Sequence, residues 1–464
     1  MTAELLMLGG AEEIGANCTY LDIDGTGILV DAGLHPRYRD GRAFPALDYL
    51  QQRPTDALLI THAHTDHLAG LPYVMRRMPH LRPIMTHATR DLSHIMLHNS
   101  AKLLKSDVST WFSKEALEFY NRDTIELLRR AFEAVPYNEP FPLRGYNGGS
   151  DVSTTFHWAG HILGSASIEF QCKGLRILHT GDIQFDHQTV ISKARVPRGH
   201  VDVLICEATN CLRDQPNNIP ADAKRLASYI NMVTSRNGSV LIPCFALGKT
   251  QEILTLLYSM MRKGSIPHLP IWTGGMGVRV SKIYDQYCYT EPVRVPGFEI
   301  SDIPQNRLNF DTLFNESYMK TPSIVVASSG MMNRGTISYA LAGSWMEKPT
   351  FGIAFIGFQD ETSPGHQMLH SLPNVPFEFA GRKVKRSCAV ERFRFSAHAS
   401  LHGIIDFVTD VRPTMLVIVH GEPDACDMLA LCIRERLPAT RVIIPRAGMP
   451  YIVGHNAPVP TQST

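Results

Sequence analysis

The sequence predicts an α/β protein in which a strand-rich domain is interrupted by a second, doubly wound domain with a parallel sheet. Three observations carry this. Through residue 208 short strands and turns dominate; from 209 to 384 helical stretches alternate with short apolar strands; from 385 a strand-rich pattern returns. Regular strand–helix–strand alternation implies parallel pairing, because the helix is what returns the chain to the same edge. Residues 1–208 and 385–464 are therefore read as two parts of one domain, and 209–384 as its insert.

Residues 19–23 alternate polar and apolar, Asp24-Gly25-Thr26-Gly27 supplies a turn, and Ile28-Leu29-Val30 runs into Asp31-Ala32-Gly33. The apolar strand 57–60 leads straight into Thr61-His62-Ala63-His64-Thr65-Asp66-His67, read as a turn. Apolar residues at helical steps, such as the pairs Leu117 and Tyr120, and Ile125 and Leu128, predict helix over about 91–132. Strands follow at 153–158, 167–172, 176–179 and 203–206. In the insert, helices are expected at 221–235, 249–262, 278–287 and 336–346, with strands at 239–244, 271–272, 323–328 and 350–357. Beyond it come a strand at 390–395, a helix from Leu401, a strand at 415–420, a helix at 424–436 and a strand at 441–444.

Hydrophobic residues make up 44% of the 464 and charged residues 19%, below the roughly 25% charged fraction of ordinary soluble proteins. A large core is implied, and long disordered tails are not. Forty-five Lys+Arg against 44 Asp+Glu leaves a net charge of +1, so any polyanionic partner must be met by a local patch or by bound metal ions. The longest apolar run, 240–248, is far shorter than the ~20 residues that span a bilayer. Met1-Thr2-Ala3-Glu4 has no basic leader character, so neither a membrane segment nor a signal peptide is expected, and the location expected is cytoplasmic. Nine scattered cysteines without a Cys-x-x-Cys pair read as buried reduced thiols. The anomaly is histidine, with 20 residues.

His62, His64, Asp66 and His67 put four metal-capable side chains into six residues after a strand. Imidazole and carboxylate suit zinc, and this spacing does not let all four reach one tetrahedral ion comfortably, so it points to two ions. Further candidates stand at other strand ends beside small residues: His161, Asp182 and His420. Asp31 is read as orienting the histidine loop. His94 and His98, four apart on a helix, have metal-site spacing but no evident third ligand, and are read as helix packing; His87, His157, His179 and His187 are read as supporting or surface residues.

Taken in order, Asp31, the 62–67 cluster, His161 and Asp182 resemble the four motifs of the metallo-β-lactamase superfamily. Glu207, His398 and His420 resemble three further motifs of its β-CASP nuclease branch, to which the mRNA 3′-end-processing endonuclease and the ribonuclease J enzymes belong. Gly9-Gly10-x-x-Glu13-x-Gly15 and Pro243-Cys244-Phe245-Ala246-Leu247-Gly248-Lys249-Thr250-Gln251-Glu252 are similar to that branch too. The resemblance implies an αββα sandwich with an inserted β-CASP domain packed over the metals. It implies two Zn²⁺ per chain, one held by His62, His64 and His161, the other by Asp66, His67 and His420, with Asp182 and a hydroxide bridging them. It further implies hydroxide attack on an RNA phosphodiester, leaving 3′-hydroxyl and 5′-phosphate ends. His398 would protonate the leaving 3′-oxygen, with Glu207 on its other nitrogen. Histidine at the final motif, here His420, resembles the members acting on RNA rather than the DNA-repair members.

Several residues depart from the family pattern: Asn210 after Glu207-Ala208-Thr209, Ser400 after His398, His366, and the segment 329–335. Ser400 still suits the N-cap of the following helix. Substrate contacts are expected at Ser328 and Ser329, whose strand end could cradle a phosphate, at Lys249, and at Lys385 and Arg386 within the basic group Arg382, Lys383, Lys385, Arg386, Arg392 and Arg394. A solvated hinge is the other reading of that group. The expected activity is an endoribonuclease on single-stranded RNA; a 5′-exoribonuclease, a DNA nuclease, an ester or thioester hydrolase and a non-catalytic scaffold subunit are the rivals. With no added RNA-binding module or C-terminal extension read in the sequence, recognition is expected to fall to the cleft or to RNA-processing partners. Oligomeric state is not legible.

Overall fold

A computed structural model describes residues 1–38, 40–106, 118–146, 148–212, 218–308, 310, 313 and 320–454. Two compact units emerge. The first comprises Met1–Asp186, Lys193–Pro216 and Ala397–Thr464; the second comprises His187–Ser192 and Asn217–Ser396.

The first unit is built on two seven-stranded sheets. One has the order Pro450–Gly454, Thr2–Gly9, Cys18–Ile23, Thr26–Val30, Ala57–Leu59, Pro83–Thr86, Glu133–Val135; the other runs Arg441–Ile443, Met415–Val419, Val203–Glu207, Leu175–His179, Ala166–Cys172, Val152–Trp158, Phe141–Leu143. Strand periodicity explains the layering. Val203 and Ile205, with Val417 and Ile177, pack against Leu5, Met7, Leu21 and Val30 of the facing sheet. The alternate residues Leu204, Cys206, Leu416, Ile418 and Leu178 turn to the other side and meet Ile404, Phe407 and Val408 of helix Leu401–Val411 and Leu429 and Ile433 of helix Pro423–Arg436. These strands are apolar on both faces because both faces are covered, which is the layering expected of the sandwich.

The second unit holds a six-stranded, wholly parallel sheet, ordered Asn306–Leu308, Ile271–Gly274, Ile324–Ala327, Val240–Pro243, Gly352–Phe355, Ala389–Arg392. The chain leaves Val240–Pro243 toward one edge and later returns to build the other, so the sheet is doubly wound as expected. Helix Ile337–Trp345 packs Leu341 and Trp345 onto Leu241, Val325 and Ile353.

Three local expectations change. The helical stretch expected over 91–132 is two helices, His87–Ser106 and Arg122–Arg129, the second capped by Asn121, which accepts from the Thr124 N–H; Leu117 and the rest of 107–117 lie outside the described residues. Asp66 and His67 lie not in a turn but in a one-turn helix, Thr65–Leu68, that begins just after His64. The strand expected at 390–395 is Ala389–Arg392, and it pairs in parallel with Gly352–Phe355. The second unit therefore continues past 384 to Ser396, and begins at Asn217 with the separate piece 187–192 added, rather than at 209.

That separate piece has a physical cause. Glu252 turns its carboxylate onto the backbone N–H groups of Thr189 (2.5 Å), Val190 (2.9 Å) and Ile191 (3.0 Å). Gln251, beside it, bonds the carbonyls of Ala246 and Gly277 and the Ser281 hydroxyl. All nine cysteines are free thiols, and no helix among the described residues is long and apolar enough to cross a membrane.

Candidate metal centre

The residues singled out around the metal centre all stand in segments that follow strands of the first unit, Asp66 and His67 within the one-turn helix Thr65–Leu68. Asp31 follows Thr26–Val30, the 62–67 cluster follows Ala57–Leu59, His161 follows Val152–Trp158, Asp182 follows Leu175–His179, and His420 follows Met415–Val419. They converge as two groups of donors. In the first, His62 Nε2 lies 3.2 Å from His64 Nδ1, which lies 3.0 Å from His161 Nε2. Asp182 Oδ2 is 3.4 Å from His62 Nε2 and 3.5 Å from His161 Nε2. In the second, Asp66 Oδ2 lies 3.2 Å from His420 Nε2 and 3.7 Å from His67 Nε2. Asp182 turns its other oxygen, Oδ1, to this group, 3.4 Å from His67 Nε2 and 2.8 Å from His420 Nδ1.

This donor set fits two zinc-like ions. Ligands about 2.0–2.2 Å from a tetrahedral ion stand about 3.3–3.6 Å apart, close to the spacings above. Asp182 is buried, and a buried carboxylate is costly unless a cation or donor reaches it. The groups set against its two oxygens are the metal-capable nitrogens of His62, His161, His67 and His420.

Supporting contacts fix the rings. Asp31 accepts from His67 Nδ1 (2.7 Å) through Oδ2 and from the Thr61 N–H (2.7 Å) through Oδ1, turning His67 Nε2 toward Asp182. His161 Nδ1 faces the Ala397 carbonyl at 3.0 Å. Thr209 Oγ1 lies 3.1 Å from both Nδ1 and the carbonyl of His420, and the His420 N–H donates to the Gly10 carbonyl. Gly33 is needed for close approach: a Cβ there would stand 1.8 Å from the Asp66 carbonyl oxygen.

Burial pushes His62 and His161 well below the usual imidazole range, and His64 down to about 4. These three rings are neutral, with lone pairs to offer. The other half is different. Burial opposes charge on His67 and His420, but carboxylates outweigh it: Asp182, Asp31 and Asp66 hold His67 well above its usual value, and Asp182 and Asp66 bring His420 up to about 10. Burial likewise opposes ionisation of Asp182, yet the surrounding histidines hold it well below the carboxylate range. Negative charge concentrated in this way is what attracts a dication.

Beside the centre, His398 Nδ1 lies 2.9 Å from Oε2 and 3.1 Å from Oε1 of the buried Glu207, and 3.9 Å from Asp182 Oδ2. Glu207 Oε1 also accepts from the Ile183 N–H at 2.7 Å. Burial alone would lower the His398 pKa; Glu207, then Asp182, raise it above the usual histidine value. Ser400 caps helix Leu401–Val411 as expected, accepting from the Gly403 N–H.

The proposed substrate contacts fare less uniformly. Lys249 opens helix Lys249–Arg262 after strand Val240–Pro243, and Ser328 and Ser329 follow strand Ile324–Ala327, so all three stand at the carboxyl ends of the parallel sheet. That edge is where open α/β sheets bind ligands. Ser329 Oγ, however, already accepts from the Asn333 N–H. Arg386 does not fit an exposed RNA edge: it is buried and donates to the Ser371 carbonyl at 2.7 Å. The basic group is not a hinge either. Arg382–Lys385 is one strand of a hairpin with Pro376–Phe379, and Arg382 is tied to Glu347 and the Gly343 carbonyl. Lys383 and Lys385 remain exposed.

Sequence reasoning passed over Asn17, whose amide nitrogen lies 3.1 Å from both His67 Nε2 and the Asp66 carbonyl, as well as Thr61 and Thr209. Short polar side chains carry no pattern that separates such roles from ordinary turns.

Sequence models of three families match the chain: the metallo-beta-lactamase superfamily over residues 11–214, the Beta-Casp domain over 250–368, and the Zn-dependent metallo-hydrolase RNA specificity domain over 383–445. Among similar proteins, an endoribonuclease YSH1 of Mycosarcoma maydis is 28% identical over 97% of this chain and 51% of its own length. Cleavage and polyadenylation specificity factor 73 of Drosophila melanogaster is 28% identical over 93% of this chain and 62% of its own. The endoribonuclease ysh1 of Schizosaccharomyces pombe is 29% identical over 90% and 54%. The chain thus spans about half the length of most of these curated relatives. In three dimensions a protein of unknown function from Enterococcus faecalis V583 shares the fold, with a TM-score of 0.57 at 13% identity, covering 98% of this chain and 100% of that one.

Proposed function

The chain belongs to the β-CASP branch of the metallo-β-lactamase superfamily, and from that premise we propose that it is a zinc-dependent endoribonuclease, hydrolysing phosphodiesters of single-stranded RNA to 3′-hydroxyl and 5′-phosphate ends. The observation that carries this reading is the placement of Asp182. One of its oxygens faces His62 and His161, and the other faces His67 and His420.

On this reading His62, His64 and His161 would hold one ion and Asp66, His67 and His420 the second, with Asp182 offering one oxygen to each. When bound, two such ions supply activated water near neutral pH and positive charge for the phosphodiester, which lets a chain of net charge +1 bind a polyanion locally. Glu207 engages Nδ1 of His398, fixing the tautomer. Nε2 is then the nitrogen through which His398 delivers a proton to the leaving 3′-oxygen, and Glu207 and Asp182, which raise its pKa, favour its protonated form. The relatives named endoribonuclease and the match to an RNA specificity domain support RNA over DNA. They also support action alongside RNA-processing partners.

The test is the product pattern from one RNA carrying a 5′-monophosphate, 5′-hydroxyl or 5′-triphosphate, beside the same sequence as DNA. Wild type, chelator-treated protein and His398→Ala are run in parallel. Internal cuts in RNA that ignore the 5′ end and vanish with chelator are expected. Mononucleotide release only from the monophosphate makes the protein a 5′-exonuclease instead, and cleavage of DNA alone overturns the choice of substrate. No cleavage by protein carrying both ions overturns self-sufficient catalysis.

A further inference from the structure

A second convergence of metal-capable atoms lies in the same unit and shares no residue with the centre above. His94 and His98 sit four residues apart on helix His87–Ser106, and Glu126 lies on helix Arg122–Arg129. Sequence spacing alone left the two histidines without a third ligand; the fold supplies one. His94 Nε2 is 2.8 Å and His98 Nε2 is 3.0 Å from the same oxygen, Oε1 of Glu126, and the two Nε2 atoms are 3.1 Å apart. The rings stand nearly perpendicular, at 87° with centroids 4.7 Å apart, so both aim Nε2 at one point rather than stacking.

We propose that His94, His98 and Glu126 form a separate structural metal site, taking a divalent transition ion of the zinc type, that ties helix His87–Ser106 to helix Arg122–Arg129. Three donor atoms at mutual distances of 2.8–3.1 Å stand only a few tenths of an ångström inside the spacing of ligands around a tetrahedral ion. Glu126 is 42% exposed, so a small rotation of its side chain opens the triangle. Its carboxyl is held down to about 2 by the two histidines, so it is ionised at any neutral pH. Two imidazoles and one carboxylate are a suitable set for zinc, with hydrogen-bonding water completing the coordination at the solvent-facing side. The three donors lie on two helices and share no residue with the centre above, so the role assigned to this ion is structural. An ion bound only by the folded chain stabilises it in proportion to the logarithm of ion concentration over Kd.

The test uses the full chain, equilibrium dialysis against buffered free zinc, metal counting per chain, and melting temperature as a function of zinc. Wild type is expected to bind one ion more than His98→Ala, and its zinc-dependent rise in melting temperature should shrink in the variant while RNA cleavage is retained. Glu126→Gln, which keeps the shape of the side chain, should weaken this ion at least tenfold. Equal ion counts and equal zinc-dependent melting shifts in wild type and His98→Ala overturn the proposal, as does occupancy of this ion only at millimolar free zinc. If His98→Ala does not fold, His94→Gln with cobalt in place of zinc gives the same readout: loss of one set of cobalt absorption bands supports the site, and an unchanged spectrum overturns it.

Discussion

His67 Nδ1 lies 2.7 Å from Asp31 Oδ2, while Asp31 Oδ1 accepts from the Thr61 N–H. One buried carboxylate at the end of Thr26–Val30 thereby holds the loop leaving the neighbouring parallel strand, Ala57–Leu59, with which it is in register at Val30 and Leu59. Asp31→Asn keeps the shape but removes the charge that orients His67 and keeps its Nδ1 protonated. Affinity for the ion that His67 would hold should fall about 10–100-fold. Competition against a chelator of known affinity measures this, and an unchanged affinity would show that Asn17 and the backbone suffice to place the ring.

Asp182 and His398 separate metal holding from proton transfer. Asp182→Ala removes a carboxylate that faces both donor groups, so the protein should lose metal, read by ion content per chain. His398→Ala leaves all seven proposed ligands in place and should keep both ions while turnover falls about 10²–10⁴-fold. Glu207→Gln should also keep both ions, with a smaller loss of turnover, since His398 then loses its charged partner but retains a hydrogen-bond acceptor. Loss of metal from His398→Ala would sink this division of labour.

Much of this site was legible before the fold because metal ligation needs particular side chains, and because strand ends are where chain direction and small neighbours let them converge. His62, His64, Asp66, His67, His161, Asp182 and His420 could be named from those two facts together with the order of the motifs. Glu126 could not: it lies 28 residues from His98, and nothing local in its helix marks it as facing another. Arg386 was misread for a related reason. A run of basic residues looks solvated, but successive side chains of extended backbone turn to opposite faces. Lys385, at the end of the hairpin strand, is exposed, while Arg386, just past it and bridged to Pro373, is buried and bonded to Ser371. The boundary expected at 384 failed because strand propensity does not say which sheet a strand joins, and Ala389–Arg392 joined the parallel one.

That correction changes which charges to test against RNA. Lys383→Glu with Lys385→Glu should flatten the dependence of log K on log salt if this hairpin tracks the phosphate backbone. Arg386→Ala should leave the slope alone and lower stability by roughly 1–3 kcal/mol, the range for a lost buried charged hydrogen bond. Filter binding over a salt series and chemical unfolding measure the two. An unchanged slope in the lysine pair removes the hairpin from the RNA path.

Lys249 links the sheet edge to stability. Burial brings its ammonium down from 10.5 to about 8, while Glu252, one turn along the helix, is engaged by the N–H groups of Thr189, Val190 and Ile191. A lysine whose folded pKa lies below its unfolded value weakens the fold wherever it must be charged. The deficit is complete below pH 8, shrinks as pH rises from about 8 to 10.5, and is gone above that. At pH 7 it amounts to about 3 kcal/mol. Buried thiols such as Cys244, pushed up to about 12, act in the opposite sense in the same range, so the effect must be read as a difference between two proteins. Lys249→Met should be more stable than wild type at pH 7, and urea unfolding of both should converge by pH 10.5. A difference that stays constant across that window would mean that Lys249 is neither desolvated nor titrating there. A stabilised variant that also binds RNA more weakly would indicate that the charge is kept at a cost in stability for contact with substrate.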